Sequence, residues 1–164
     1  MARVGDGASV LAPGEGRSID VGGFAVTVYA DGETTAGDFS LIGTVDTVAG
    51  GGPPMHIHRD CSESFYVLAG AYQVIVEDRA FECEQGSFVY VPSGMRHTFE
   101  TLVAGSRKLN LYSPTAMVGY FDELAAGVAA GMDEADLDAI AGRYGMEVVG
   151  PVPDSYLSDP TARP

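Results

Sequence analysis

Between Gly22 and Tyr112 the chain reads as short runs rich in branched and aromatic residues, several with apolar and polar positions in partial alternation. FAVTVYA, FSLIGTVDTVA, SFYVLA, AYQVIVE, SFVYVP and RKLNLYS each have the composition of a strand buried on one face. ADGET, GGGPP, the glycine at 70, EDRA, EQG and PSG separate them, and all carry turn-forming residues. So many strands of similar size without intervening helices predict an antiparallel sandwich or barrel. After Pro114 the period changes. Met117, Phe121, Leu124 and Val128 recur at helical spacing, and so do Leu137, Ile140 and Tyr144. Asp133 is placed to cap the second helix and Gly145 to stop it. These stripes are expected on the outside of the barrel or against a partner subunit, away from any chemistry. The reading divides the chain into an arm over 1–20, a β-barrel over 21–113, a helical segment over 114–145 and an irregular, Pro-rich tail over 146–164.

Composition narrows the class of function. A chain of 164 residues can close one hydrophobic core, and 22 glycines suit many tight turns. Its net charge of −14 repels phosphate backbones, so neither nucleic acid nor an anionic membrane is expected as a partner. The N-terminus has no apolar core of a signal peptide, and no stretch reaches the length of a membrane span, so a cytoplasmic location is expected. Cys61 and Cys83 are expected to be small buried hydrophobes rather than a disulfide.

The chain has three histidines, and two of them stand in MHIHRDCSESF as His56 and His58. On a strand these point to the same face while Ile57 points away. Glu63 lies at an odd offset, but the polar RDCS predicts a loop or bulge that resets the register, so that Glu63 turns inward with Phe65 and Val67. His97 follows the turn-forming PSG and can enter the same interior from another strand. Three imidazoles and a carboxylate suit a divalent transition metal (iron, manganese, nickel, cobalt, copper or zinc) better than calcium or magnesium. The competing reading is that these are ordinary core histidines. The whole histidine complement, set in two segments with glycine and proline at turn positions, favours the metal.

The spacing resembles a known family. Gly50, five residues, His56, one, His58, four, Glu63, six and Gly70 matches the first cupin motif. Gly86, five residues, Pro92, one, Gly94, two and His97 matches the second, departing only at Thr101, where cupins often carry Asn. This resemblance implies an all-β, antiparallel jelly-roll β-barrel with C-terminal helices and one divalent transition metal per chain, held by His56, His58, Glu63 and His97. GETTAGDFSLIG and PTAMVGYFDELA also look like single-domain cupins of the quercetin 2,3-dioxygenase kind. That likeness implies a dioxygenase acting on a flavonol-like, aromatic or polyketide-like hydroxylated substrate, with dioxygen as the second partner.

Cupin chemistry is diverse, so two further classes stand beside the oxygenase: a non-redox metal-dependent isomerase, cyclase or lyase, and a ligand-binding cupin without catalysis. Thiol dioxygenases lack the carboxylate, and Glu63 argues against that branch. Cys61 has no evident partner base and is read as a loop cysteine. Glu63 is expected to be the catalytic base as well as a ligand. The pocket is expected among Met55, Phe65, Val67, Phe88, Tyr90, Met95, Phe99 and Leu111, about half of them being core. Without a phosphate-binding loop or basic cluster, phosphorylated substrates are not expected. Open sheet edges and the apolar helical faces predict a homodimer.

Overall fold

The computed structural model describes residues 2–4 and 7–151. The chain opens with a hairpin of β1 (Ala2–Val4) and β2 (Ala8–Val10). Strand β3 (Arg17–Asp20) then pairs with β4 (Phe24–Ala30), which pairs with β5 (Ser40–Asp46). Next come β6 (Met55–His58), β7 (Ser62–Ala69), β8 (Ala71–Val76), β9 (Arg79–Glu84), β10 (Phe88–Val91), β11 (His97–Thr101) and β12 (Ser106–Ser113). Helices α1 (Val118–Ala130) and α2 (Glu134–Arg143) follow, and β13 (Met146–Gly150) closes the described chain.

The strands form a six-stranded sheet in the order β10-β7-β12-β5-β4-β3 and a five-stranded sheet in the order β13-β6-β11-β8-β9, all pairings antiparallel. Neighbours such as β7 and β12 are far apart in sequence, as in a jelly roll. The sheets close over two apolar clusters. One joins Val67 of β7 to Tyr72 and Val74 of β8 and Cys83 of β9, with Phe99 packed against them. The other joins Val26, Val28, Ile42 and Tyr112 of the six-stranded sheet to Phe121, Ala141 and Met146. The architecture is mostly β, an antiparallel jelly roll with two C-terminal helices.

Besides β1 and β2 in the expected arm, β3, β9 and β13 escape the sequence pattern. β9 shows only Cys83 as a buried position, so it carries no apolar repeat; its place is set by pairing with β8 through the turn at Glu77. Glu77 adopts a left-handed φ of 53°, and Arg96 holds it by a backbone bond and by the Glu77 carboxylate. β3 draws part of the expected arm into the six-stranded sheet. Within the expected irregular tail, Met146–Gly150 is a strand, because β6 offers it a free edge: Met146 pairs with His58 and Val148 with His56. The rest of that tail, 152–164, lies outside the described residues.

The Asp133 carboxylate accepts from Asp136 N at 3.0 Å and caps α2, and Gly145 follows that helix at φ 72°. The helices pack on the barrel, but α1 is not remote from the interior, as described below. Among the described residues no helix is long and apolar enough to cross a membrane.

Candidate metal centre

Strand β6 turns His56 and His58 to one face, with ring centroids 5.0 Å apart. His97 starts β11 directly opposite His56 in the register, and their rings lie 4.4 Å apart. Residues Arg59–Cys61 form the break expected between β6 and β7, after which Glu63, Phe65 and Val67 are all buried and share the inner face. One candidate ligand atom from each of His56, His58, Glu63 and His97 lies within 4.8 Å of the others, and all four residues are buried. The two motifs brace each other. The Pro92–Gly94 turn donates from Gly94 N to His58 O at 2.8 Å, and Ser93 Oγ donates to the same carbonyl.

The tautomers follow from the backbone. His56 Nδ1 lies 2.9 Å from Pro54 O and His97 Nδ1 2.9 Å from Met95 O. A carbonyl can only accept, so each Nδ1 carries hydrogen; in the neutral ring Nε2 is then the inward lone pair, and without an ion His97 Nε2 must hold a proton to donate to Glu63. Glu63 Oε2 lies 3.0 Å from both His58 Nε2 and His97 Nε2, while Asn110 Nδ2 donates to Oε1 at 2.8 Å. Burial works to raise the Glu63 pKa, but hydrogen bonds from His58 and His97 outweigh it and hold the carboxyl well below its usual range. Burial also pulls His56 down to about 3, with the His97 charge acting in the same direction. For His97 burial is overcome by the Glu63 hydrogen bond and charge, and its pKa is raised.

These groups fit a metal ion. Inward lone pairs on two imidazoles and an ionised carboxylate converge in a buried place where protons can satisfy only some of them. His58 Nδ1 is buried and without a hydrogen-bond partner among the described residues. A divalent cation reconciles such a donor set, and backbone carbonyls behind two of the imidazoles are the outer support that metal-binding histidines use.

His56, His58 and Glu63 of the cluster line a cavity of about 290 Å³. Of the eight residues expected in the pocket, Phe99 lines it. Phe65, Val67 and Met55 are buried core, whereas Met95 and Leu111 are partly buried away from the lining. Phe88 and Tyr90 face outward, 65% and 59% exposed, because β10 turns Val89 and Val91 inward instead. The sequence reading missed two groups. Met117, Tyr120, Phe121 and Leu124 of the α1 region wall the cavity, correcting the expectation that the first helical stripe lies away from the site. Lys108, Asn110 and Tyr112 form the inner face of β12, with Thr44 and Asp46 of β5 beside them. Their common parity in RKLNLYS was visible; hydrophobicity pointed to the wrong parity.

A cupin-domain family model matches residues 43–106. Quercetin 2,3-dioxygenase of Bacillus subtilis (strain 168) is 29% identical over 90 residues, which cover 55% of this chain and 26% of that protein. The chain therefore spans about a quarter of that relative's length. Among solved structures, KdgF from Halomonas sp. superposes with a TM-score of 0.59 at 22% identity, covering 65% of this chain and 94% of that one. The polyketide cyclase RemF from Streptomyces resistomycificus gives 0.55 at 21% identity, covering 65% and 79%. Identities this low speak for the fold alone. The span matched by the family model runs from β5 to the start of β12 and carries all four clustered side chains, so the segment that builds the site is similar to a cupin domain.

Proposed function

We propose that this protein is a metal-dependent oxygenase acting on a hydroxylated aromatic or polyketide-like substrate. The observation that carries the reading is the convergence of three imidazoles and one ionised carboxylate, of which His56, His58 and Glu63 line a mainly apolar, partly enclosed cavity. His56, His58, Glu63 and His97 would hold one divalent transition metal, which would supply Lewis acidity and, if redox-active, electron exchange with dioxygen.

The chain's own contribution begins with exclusion of water. Phe24, Phe99, Tyr120, Phe121 and Leu124 line the cavity with apolar surface that suits a planar ring. Glu63 then receives the proton of the substrate hydroxyl on Oε2, the oxygen that faces the histidines, while Asn110 keeps Oε1 occupied. Buried Tyr112 stays a neutral phenol, since burial and the Glu63 charge both raise its pKa. It pairs with Glu63 across the β12–β7 ladder and stacks edge-on to His58 at 5.6 Å.

The likeness to the dioxygenase supports the oxygen-dependent reading, and the likeness to a polyketide cyclase supports a second one, a ring closure or isomerisation that consumes no dioxygen. An oxygen electrode separates them. Metal-loaded protein given quercetin and a panel of related flavonols and hydroxylated polyketides should consume dioxygen in step with substrate loss. Conversion at an unchanged rate under nitrogen would replace the oxygenase by the non-redox reading; binding without conversion would leave a ligand-binding protein.

A further inference from the structure

Lys108, Asp46 and Thr44 form a second polar group on the cavity wall that the metal site does not use. Lys108 is 2% exposed, yet its Nζ donates to Asp46 Oδ2 at 2.8 Å and to Thr44 Oγ1 at 3.0 Å, and lies 3.8 Å from the centre of the Phe99 ring. Tyr72 donates its hydroxyl to the same Asp46 oxygen at 2.7 Å. A buried ion pair is seldom more stabilising than apolar side chains of the same volume, so its presence in a core invites a functional account. Lys108, Asp46 and Thr44 line the same cavity as His56, His58 and Glu63. Burial lowers the Lys108 pKa, and the Asp46 charge opposes that shift.

A second observation points to a ligand. Asn110 lies on β12 between this group and the cluster, 3% exposed, and its Nδ2 donates to Glu63 Oε1. That bond fixes the amide orientation, so Oδ1 is an acceptor; it is buried, on a residue that lines the cavity, and has no partner among the described residues. Such an atom is costly unless a donor meets it. Lys108 and Asn110 are two residues apart on a strand, which separates the anchors by about 7 Å, the span of one or two fused rings.

We propose that Lys108, Asp46 and Thr44 form a distal subsite that takes a neutral hydroxyl on the far side of an aromatic ligand, whose near hydroxyl sits at the histidine cluster within reach of Asn110 Oδ1. This rests on the oxygenase reading for the placement of the near oxygen and names the substitution pattern selected. A hydroxyl complements the pair because it accepts from Lys108 and donates to Asp46 at once. A carboxylate there would meet Asp46 directly and Glu63 at longer range, with a single cation already neutralised.

The test is calorimetric titration of zinc-loaded protein with 2-naphthol, 2,6-dihydroxynaphthalene and 6-hydroxy-2-naphthoate. The dihydroxy compound should bind about tenfold tighter than 2-naphthol, the worth of one or two buried hydrogen bonds, and the carboxylate weakest. Lys108→Met strands Asp46 and can unfold the protein, so the decisive variant is Lys108→Met with Asp46→Asn, which removes both charges and leaves Tyr72 a partner. It should keep its metal and bind 2-naphthol and the diol equally. The subsite is overturned if the wild type does not prefer the diol, if the carboxylate binds best, if the double variant keeps the preference, or if none of the three binds. Oxygen uptake reads the other proposal separately: diol preference without uptake on any substrate leaves the subsite standing and removes the oxygenase.

Discussion

Asn110 donates its side-chain amide to Glu63 Oε1 at 2.8 Å, and the other carboxylate oxygen is thereby left as the one facing His58 and His97. The clamp changes what a conservative replacement does. In Glu63→Gln the amide oxygen takes the Asn110 bond, so the NH2 group points at the imidazole lone pairs where a cation would sit. We expect metal affinity to fall by about 10–100-fold, the range seen when support around a metal site is lost. Adding Asn110→Leu frees the amide to turn, and part of the affinity should return. Metal titration of both variants checks this; wild-type affinity in Glu63→Gln would mean that Asn110 does not set the orientation. On a preparation reloaded with metal, Glu63→Gln should still lose roughly 10²–10⁴ in turnover, because an amide accepts no proton.

Purified protein should contain about one transition-metal ion per chain, with ligand distances of roughly 2.0–2.2 Å by X-ray absorption. His97→Ala removes the imidazole that faces both His56 and Glu63. Together with His58→Ala it should abolish stoichiometric loading, as read by elemental analysis. Retention of a full metal complement by that double variant would sink the site assignment.

Gly52 and Gly51 make a matched steric test. A Cβ on Gly52 would lie 1.8 Å from Phe99 O, because the loop before β6 runs along the backbone of β11, whereas one on Gly51 comes no nearer than 3.7 Å to Val48 O. Gly52→Ala should cost about 1–3 kcal/mol or more in urea unfolding, and Gly51→Ala well under half of that. Equal effects would show that the loop is not held against Phe99.

A homodimer is expected, through a surface other than the helical stripes. Phe121 and Ile140 are already buried within the chain itself. Tyr66, Phe88 and Tyr90 stand exposed on β7 and the edge strand β10, with Phe88 opposite Tyr66 in the register. Light scattering should give twice the chain mass, and Phe88→Asp with Tyr90→Asp should give the monomer with the barrel intact. A wild-type monomer at micromolar concentration removes the idea.

What the sequence determined by itself is local. The runs FAVTVYA and AYQVIVE specify strands because their side chains suit a half-buried pleat, and the first coincides with β4. The pairing of His56 with His58 follows from the two-residue period of a strand, and the polar break at 59–61 was enough to predict that Glu63 would turn inward. Which face of each strand became the interior was a tertiary decision. In RKLNLYS the alternation is plain, yet the buried row is Lys108, Asn110 and Tyr112, with Leu109 and Leu111 only partly covered. Asp46, Thr44 and Glu63 lie far away in the chain, and only their arrival makes polar burial there favourable. β9 and β13 exist for the same reason: neither has a strong pattern of its own, and each is held by the hydrogen-bonding edge that a distant strand offers it.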